Sequence, residues 1–240
     1  MRNERPIFYQ NWNHLLFLHW KVPTIDIQER LPEGLNVDLW NGSAYIGIIP
    51  FMMNGLRPSF AFNLPGISDF MEINLRTYVR DKHNRPGVWF FSLDTANPLG
   101  NWIARRFFHL NYRYAETKFI KHSFRSYEST VSFPNANMPI QRFKWTESTN
   151  NFLPSKDHES LEFFLTERYR LFTFSKKNKQ LFTGRISHEP YTLNVPTLES
   201  FDIDLISNNG LNIGGIDYPD SILSSYGTQV KVFPLRKVIK

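Results

Sequence analysis

Residues 72–80 read EINLRTYVR. Taken in twos, Glu72, Asn74, Arg76 and Tyr78 share one face, while Ile73, Leu75, Thr77 and Val79 share the other. That period belongs to a β-strand. Its apolar face needs a core, whereas its polar face faces either bulk water or the inside of a pocket, and the pattern alone leaves both open. A carboxylate and a guanidinium four residues apart on one strand lie about 13 Å apart at roughly 3.3 Å per residue, too far to pair. Glu72 and Arg76 therefore each need a partner of their own.

Outward from this stretch, most of the chain has strand character. Residues 43–53 (SAYIGIIPFMM) are β-branched and aromatic, and 88–94 (VWFFSLD) are apolar almost to the end. Residues 119–133 and 140–145 alternate, and 169–174, 180–191 and 229–235 complete the set. Turn residues separate these runs: NG at 41–42, RPG at 85–87, KKNK at 176–179 and NNG at 208–210. Three helices are expected. The first covers 24–31, with Thr24 as cap and PEG at 32–34 as stop, and the second covers 96–110, with Leu99, Ile103, Phe107 and Leu110 as its stripe. The third covers 155–168, with Ser155 as cap and Leu161, Phe164 and Leu165 buried. With neither repeat nor linker, the expectation is one α+β, strand-dominated domain over 1–240. Its antiparallel sheet would be curled, barrel-like, around a central pocket, with a few short helices.

Composition narrows the function. At 240 residues, 41% of them apolar and 22 of them Phe, the chain can build one large core. It has no cysteine, which removes disulfides, thiolate catalysis and Cys-based zinc sites. The net charge of +6 is scattered, and its densest run, SKKNKQ at 175–180, reads as a hairpin turn. No nucleic-acid-binding signature accompanies it, so no specific nucleic-acid partner is expected. The first residues, MRNERPIFYQNW, are unlike a secretory signal, and the longest early apolar run, LLFL at 15–18, is too short to span a bilayer. The expectation is a cytoplasmic protein with no membrane partner. The number of chains in its assembly stays open.

The familiar catalytic motifs are missing. The seven histidines lack the spacing of a zinc-protease helix, no G-x-S-x-G elbow occurs, and the glycines form neither a dinucleotide fingerprint nor a P-loop. Neither a metal nor a cofactor is expected. A lysine in an apolar pocket can form a Schiff base, but the only adjacent pair, Lys176 and Lys177, falls in the solvated turn.

Six ordered blocks carry a resemblance: LLFLHW at 15–20, LPEGLNVD at 31–38, PFMMNGLRP at 50–58, EINLRTYV at 72–79, PGVWFFSLD at 86–94 and FFLTERYRLF at 163–172. Together they resemble the YqjF-like family of the acetoacetate-decarboxylase-like superfamily, from about residue 6 to 238. The decarboxylases have a strand glutamate where Glu72 stands and a Leu-Asp strand end where Leu93 and Asp94 stand. They then have an Arg, a short spacer and Pro-Lys-Lys, whose first lysine makes the Schiff base. Here Arg105 matches the Arg, Asn111 stands at the Pro, and Tyr112 and Arg113 stand at the lysines. A phenol cannot condense with a ketone, so the resemblance implies the decarboxylase pocket without decarboxylase chemistry. The decarboxylases' second carboxylate also has no counterpart in 45–52.

The implied pocket takes a small carboxylated or carbonyl-bearing ligand. Glu72, Asn74 and Arg76 would point into it, with Tyr112 and Arg113 at its wall. Arg76 or Arg113, with Arg105 nearby, would hold an anionic end. Glu72 would act as acid or base, and Tyr112 would donate to a developing oxyanion. His188 is a further candidate for ligand contact. Structural roles are expected elsewhere: His19 and Trp20 anchoring a strand, Asp94 tying a turn or capping the 96–110 helix, and Glu167 with Arg168 as an internal ion pair.

Overall fold

A computed structural model describes residues 4–62, 68–134, 136–153, 157–215 and 218–239. In chain order the first elements are β1 (Phe8–Val22), α1 (Thr24–Gln28), β2 (Leu35–Val37), β3 (Ala44–Pro58), β4 (Phe70–Asp81) and β5 (Pro86–Thr95). Then come α2 (Pro98–Phe108), β6 (Tyr112–Tyr114), β7 (Glu116–Lys121), β8 (Ser126–Ser132), β9 (Gln141–Thr146) and β10 (Asn151–Phe152). The remainder comprises α3 (Leu161–Thr166), β11 (Arg170–Ser175), β12 (Gln180–His188), β13 (Leu193–Asn194), β14 (Thr197–Phe201), α4 (Asp204–Asn208) and β15 (Ser221–Lys237).

The strands β1, β3, β4, β5, β11, β12 and β15 pair in that order, and β15 pairs back onto β1 to close a barrel. A smaller sheet, β14-β9-β8-β7, lies outside it. Most pairings are antiparallel, as the short turns require; β11 and β6 instead meet β5 in parallel. The Asn41-Gly42 pair takes left-handed dihedrals, and Trp40 and Ser43 exchange two backbone hydrogen bonds of 2.9 Å across it.

Barrel closure explains why both faces of β4 are buried. Ile73 and Leu75 point outward with Leu18, Ile46 and Ile48, and the small sheet covers them with Phe143, Trp145 and Val131. The polar face turns inward, and Glu72, Asn74, Arg76 and Tyr78 are all buried. The 15-residue β1 must bend to complete the closure. Its register to β3 shifts between Asn13 and Leu18, and His14 takes a positive φ of 52°. Opposite Asn13, Gly227 has φ +142°, and a Cβ there would lie 2.2 Å from the Trp12 carbonyl oxygen. Only glycine fits this seam.

The helices are shorter than the periodicity predicts, and their caps differ. Thr24 is the first helical residue of α1, and no side chain caps that helix. α2 starts after Asn97, whose side chain accepts from the Gly100 amide, and it ends on left-handed His109. Its expected stripe is only partly covered, because Leu99 and Phe107 are exposed. α3 begins at Leu161, where the Ser160 hydroxyl accepts from the Phe163 amide. Ser155 lies outside the described residues. The alternating run 119–133 is a hairpin of β7 and β8, and α4 was not foreseen. Among the described residues, no helix is long and apolar enough to cross a membrane.

Candidate functional site

The inward face of β4 borders a cavity of about 260 Å³. β1 and β3 supply one wall, β5 and β6 another, and α2 lies across one end through Leu99, Ile103, Ala104 and Phe108. The lining is mainly aromatic and aliphatic. Glu72, Asn74 and Arg76 interrupt it from β4, and Tyr112 from β6.

β6 pairs with β5 so that Tyr112 sits beside Leu93 and Arg113 beside Asp94. The side-chain alternation of a strand then sends these two neighbours to opposite sides. Tyr112 turns into the cavity, where its Oη donates to Glu72 Oε2 at 2.8 Å. Burial pushes the Glu72 carboxyl up to about 7 and the nearby Asp94 charge adds to the rise, while hydrogen bonds from Tyr112 and Asn74 pull it back. Burial and the Glu72 charge together push the Tyr112 phenol well above its usual value. The pair is thus a protonated phenol donating to a carboxyl that exchanges its proton near neutrality.

Arg76 has a different setting. Its Nη2 donates to the Leu165 carbonyl at 3.1 Å and contacts Tyr78 Oη at 3.4 Å. Tyr78 Oη donates to the same carbonyl at 2.7 Å, so His19 Nε2, 2.6 Å away, must carry a hydrogen and donate to Tyr78. Burial and the Arg76 charge hold His19 well below its usual range, leaving it neutral. Gly47 makes room for this ring, because a Cβ there would fall 2.7 Å from His19 atoms. No salt bridge reaches Arg76 among the described residues, and its buried Nε has no acceptor. Glu167 acts electrostatically on the same region, yet its two oxygens are engaged by Tyr169 Oη and the Tyr191 amide. Among the described residues, the buried Asn74 Oδ1 is also without a donor.

The other candidates sit elsewhere. Arg113 faces away from the cavity and grips Asp94 through Nε at 2.6 Å and Nη2 at 2.8 Å. Asp94 is fully buried and also accepts from Ser92 Oγ, so it anchors β6 to β5; it neither ties the turn nor caps α2. Arg105 is exposed on α2 and is not part of the lining. His188 packs against Tyr169 and Tyr191, with Nδ1 2.8 Å from the Glu189 carbonyl oxygen, and does not border the cavity. Arg168 pairs with Asp38 at 2.7 Å in place of Glu167. His19 and Trp20 are fully buried, in keeping with an anchored strand. Among the described residues, no group of three or more His, Asp or Glu side chains comes together as metal ligands would.

A family model for DUF2071, an uncharacterized conserved protein, matches residues 9–229. This chain belongs to the DUF2071 family. It is 37% identical over 241 residues to the uncharacterized protein YqjF of Bacillus subtilis (strain 168), covering 96% of this chain and 92% of that one. Among solved structures, acetoacetate decarboxylase from Legionella pneumophila superposes with a TM-score of 0.67 at 14% identity, covering all of this chain and 90% of that one. The enduracididine biosynthesis enzyme MppR complexed with pyruvate gives 0.64 at 11% identity, covering 99% and 92%. This DUF2071 chain therefore has the acetoacetate-decarboxylase-like fold.

Sequence reasoning missed the polar groups that other elements of the DUF2071 chain bring to the lining. Gln10 comes from β1, Asn101 from α2, and Tyr191 from the segment after β12. Asn101 is buried and donates to the carbonyls of Thr95 and Arg113, fastening α2 to the β5–β6 edge. Asn97 was readable as an N-cap, since Pro98 follows it directly. Gln10 and Tyr191 carry no comparable local signal.

Proposed function

We propose that this DUF2071 protein binds a small carboxylated or carbonyl-bearing metabolite in the barrel cavity, by a route that needs no Schiff base. Arg76 takes the anionic end, and Glu72 exchanges a proton next to the carbonyl under the control of Tyr112. The observation that carries this reading is the cavity's pair of unlike ionisable groups. Arg76 is a buried cation with no salt bridge among the described residues, and Glu72 is a carboxyl held at about 7. A buried charge left alone is costly, and a ligand anion would offset that cost. A general acid or base works best when it titrates near the operating pH. The lining contains no lysine among the described residues, so a bound ketone meets no amine there. MppR, which shares the fold, is described in complex with pyruvate, a ligand of the class proposed here.

Calorimetric titration of the wild type, Arg76→Ala and Glu72→Gln with a panel of 2-oxo acids tests the reading. Arg76→Ala should lose about tenfold to a hundredfold in affinity, the usual worth of a charge-assisted hydrogen bond, while remaining folded. Glu72→Gln should keep binding but lose any exchange of the ligand's α-protons with deuterated water. Equal affinity in wild type and Arg76→Ala would reject the anion role. A lysine adduct after borohydride reduction with a 2-oxo acid would overturn the route without a Schiff base.

A second reading, a ligand-holding member without turnover, is favoured by the Tyr112 substitution at the nucleophile position. The same deuterium experiment separates the two readings. Binding with no exchange in the wild type supports holding alone.

A further inference from the structure

The charged groups occupy little of the cavity wall. Around them the lining is ring and hydrocarbon, including Phe51, Phe70, Phe90, Phe108, Leu56 and Ile103. It is also graded from inside to outside. Arg76 and Glu72 are 8% and 2% exposed, whereas Leu99 and Phe62, on the same lining, are 47% and 91% exposed. Leu15, Ile49 and Phe51 of the lining are as buried as these two charged groups, and the lining continues from them to the surface at Leu99 and Phe62. A three-carbon oxo acid seated on Arg76 would leave most of that apolar wall facing water, which is unfavourable in proportion to its area.

We propose that the natural occupant is an amphipathic anion. Its carboxylate meets Arg76, and an alkyl or aryl body runs along the Phe-rich lining toward Leu99 and Phe62. The inference rests on the binding reading above and deepens it, since it names the part of the ligand that Arg76 does not touch. Four residues divide the work. Arg76 sets the anion preference, Asn74 offers its unpaired Oδ1 to a donor next to the head group, and the α2 face at Ile103 and Ala104 bounds the tail.

The test is a calorimetric series of straight-chain carboxylates, from acetate to dodecanoate, each paired with the alcohol of equal length. Affinity should rise about fourfold per added methylene until the cavity is filled, equivalent to about 0.8 kcal/mol per buried CH₂. Arg76→Ala should lower affinity by a common factor at every length and leave that slope unchanged. Ala104→Trp should abolish the gain for the longer chains and leave the shortest anions untouched. A second obstruction from another element, Leu56→Trp, serves if Ala104→Trp does not fold. If short anions bind in an Arg76-dependent way with no dependence on length, the amphipathic occupant is refuted and the binding reading stands. If alcohols bind as tightly as acids, the anionic head group is refuted. If no anion of any length binds, both readings fail together.

Discussion

Replacing Glu72 with Gln removes one titrating group from the cavity while keeping an acceptor for the Tyr112 hydroxyl. The consequence can be worked out from burial. Glu72 ordinarily titrates near 4.5, and in the folded protein burial pushes it up to about 7. Below 4.5 the folded and unfolded chains both hold this proton. Between 4.5 and about 7 the folded protein still holds it and the unfolded chain has released it, so stability falls as pH rises through that window. Each tenfold change in proton affinity is worth about 1.4 kcal/mol, giving a penalty of about 3 kcal/mol above neutrality. Gln carries no such penalty. Glu72→Gln should therefore match the wild type at pH 4.5 and exceed it by up to about 3 kcal/mol at pH 8, or about 6–12 °C in Tm for a chain of this size. Urea unfolding of both proteins from pH 4.5 to 8 measures the difference. Glu147 is also pushed up to about 7 by burial, but it is present in both proteins and cancels in the comparison. A difference that stays constant over the range would refute the raised carboxyl and, with it, the proton-exchange role.

Other outcomes follow from the same geometry. Asp94→Asn breaks the fully buried end of the Arg113 pair; because Arg113 is 28% exposed and regains some hydration, the cost should be about 2–3 kcal/mol in urea unfolding. Equal stability would show that β6 is held in place by other contacts. Gly227→Ala places a methyl group against the Trp12 carbonyl at a φ that suits only glycine, so the seam between β1 and β15 should lose about 3 kcal/mol or more, read as a drop in Tm and in folded yield. Gly47→Ala pushes the His19 ring off Tyr78 and should cost about 1–3 kcal/mol by urea unfolding. It should also weaken anion binding, because Tyr78 helps position Arg76.

The alternation of EINLRTYVR was enough to place Glu72, Asn74, Arg76 and Tyr78 on one face, because a strand's period is a local property. Whether that face met water depended on closure of β15 onto β1, a pairing between the two ends of the chain that no local pattern records. For the same reason the second covering, of Ile73 and Leu75 by the small sheet, could not be read from β4 itself. Among the resemblance-based candidates, Tyr112 and Arg113 part company through strand alternation and the Asp94 partner, for which the sequence suggests tying a turn or capping the 96–110 helix. Arg105 turns outward because α2 uses its other side against the cavity. The α3 boundary moved because Ser160, four residues before Phe164, provides the cap immediately ahead of the apolar run. His188 offered only its residue type, and its contact with Tyr169 arises from the long-range pairing of β11 with β12.

The proposed anion binding in the cavity depends on Arg76. Titration of wild type and Arg76→Ala with 2-oxohexanoate, which carries the carboxylate, the carbonyl and a short tail, measures this in one comparison. The expected result is saturable one-to-one binding to the wild type and a loss of about tenfold to a hundredfold in the variant, with both proteins unfolding cooperatively. Binding that Arg76→Ala leaves intact, or no binding to a folded wild type, would contradict the proposed role of Arg76.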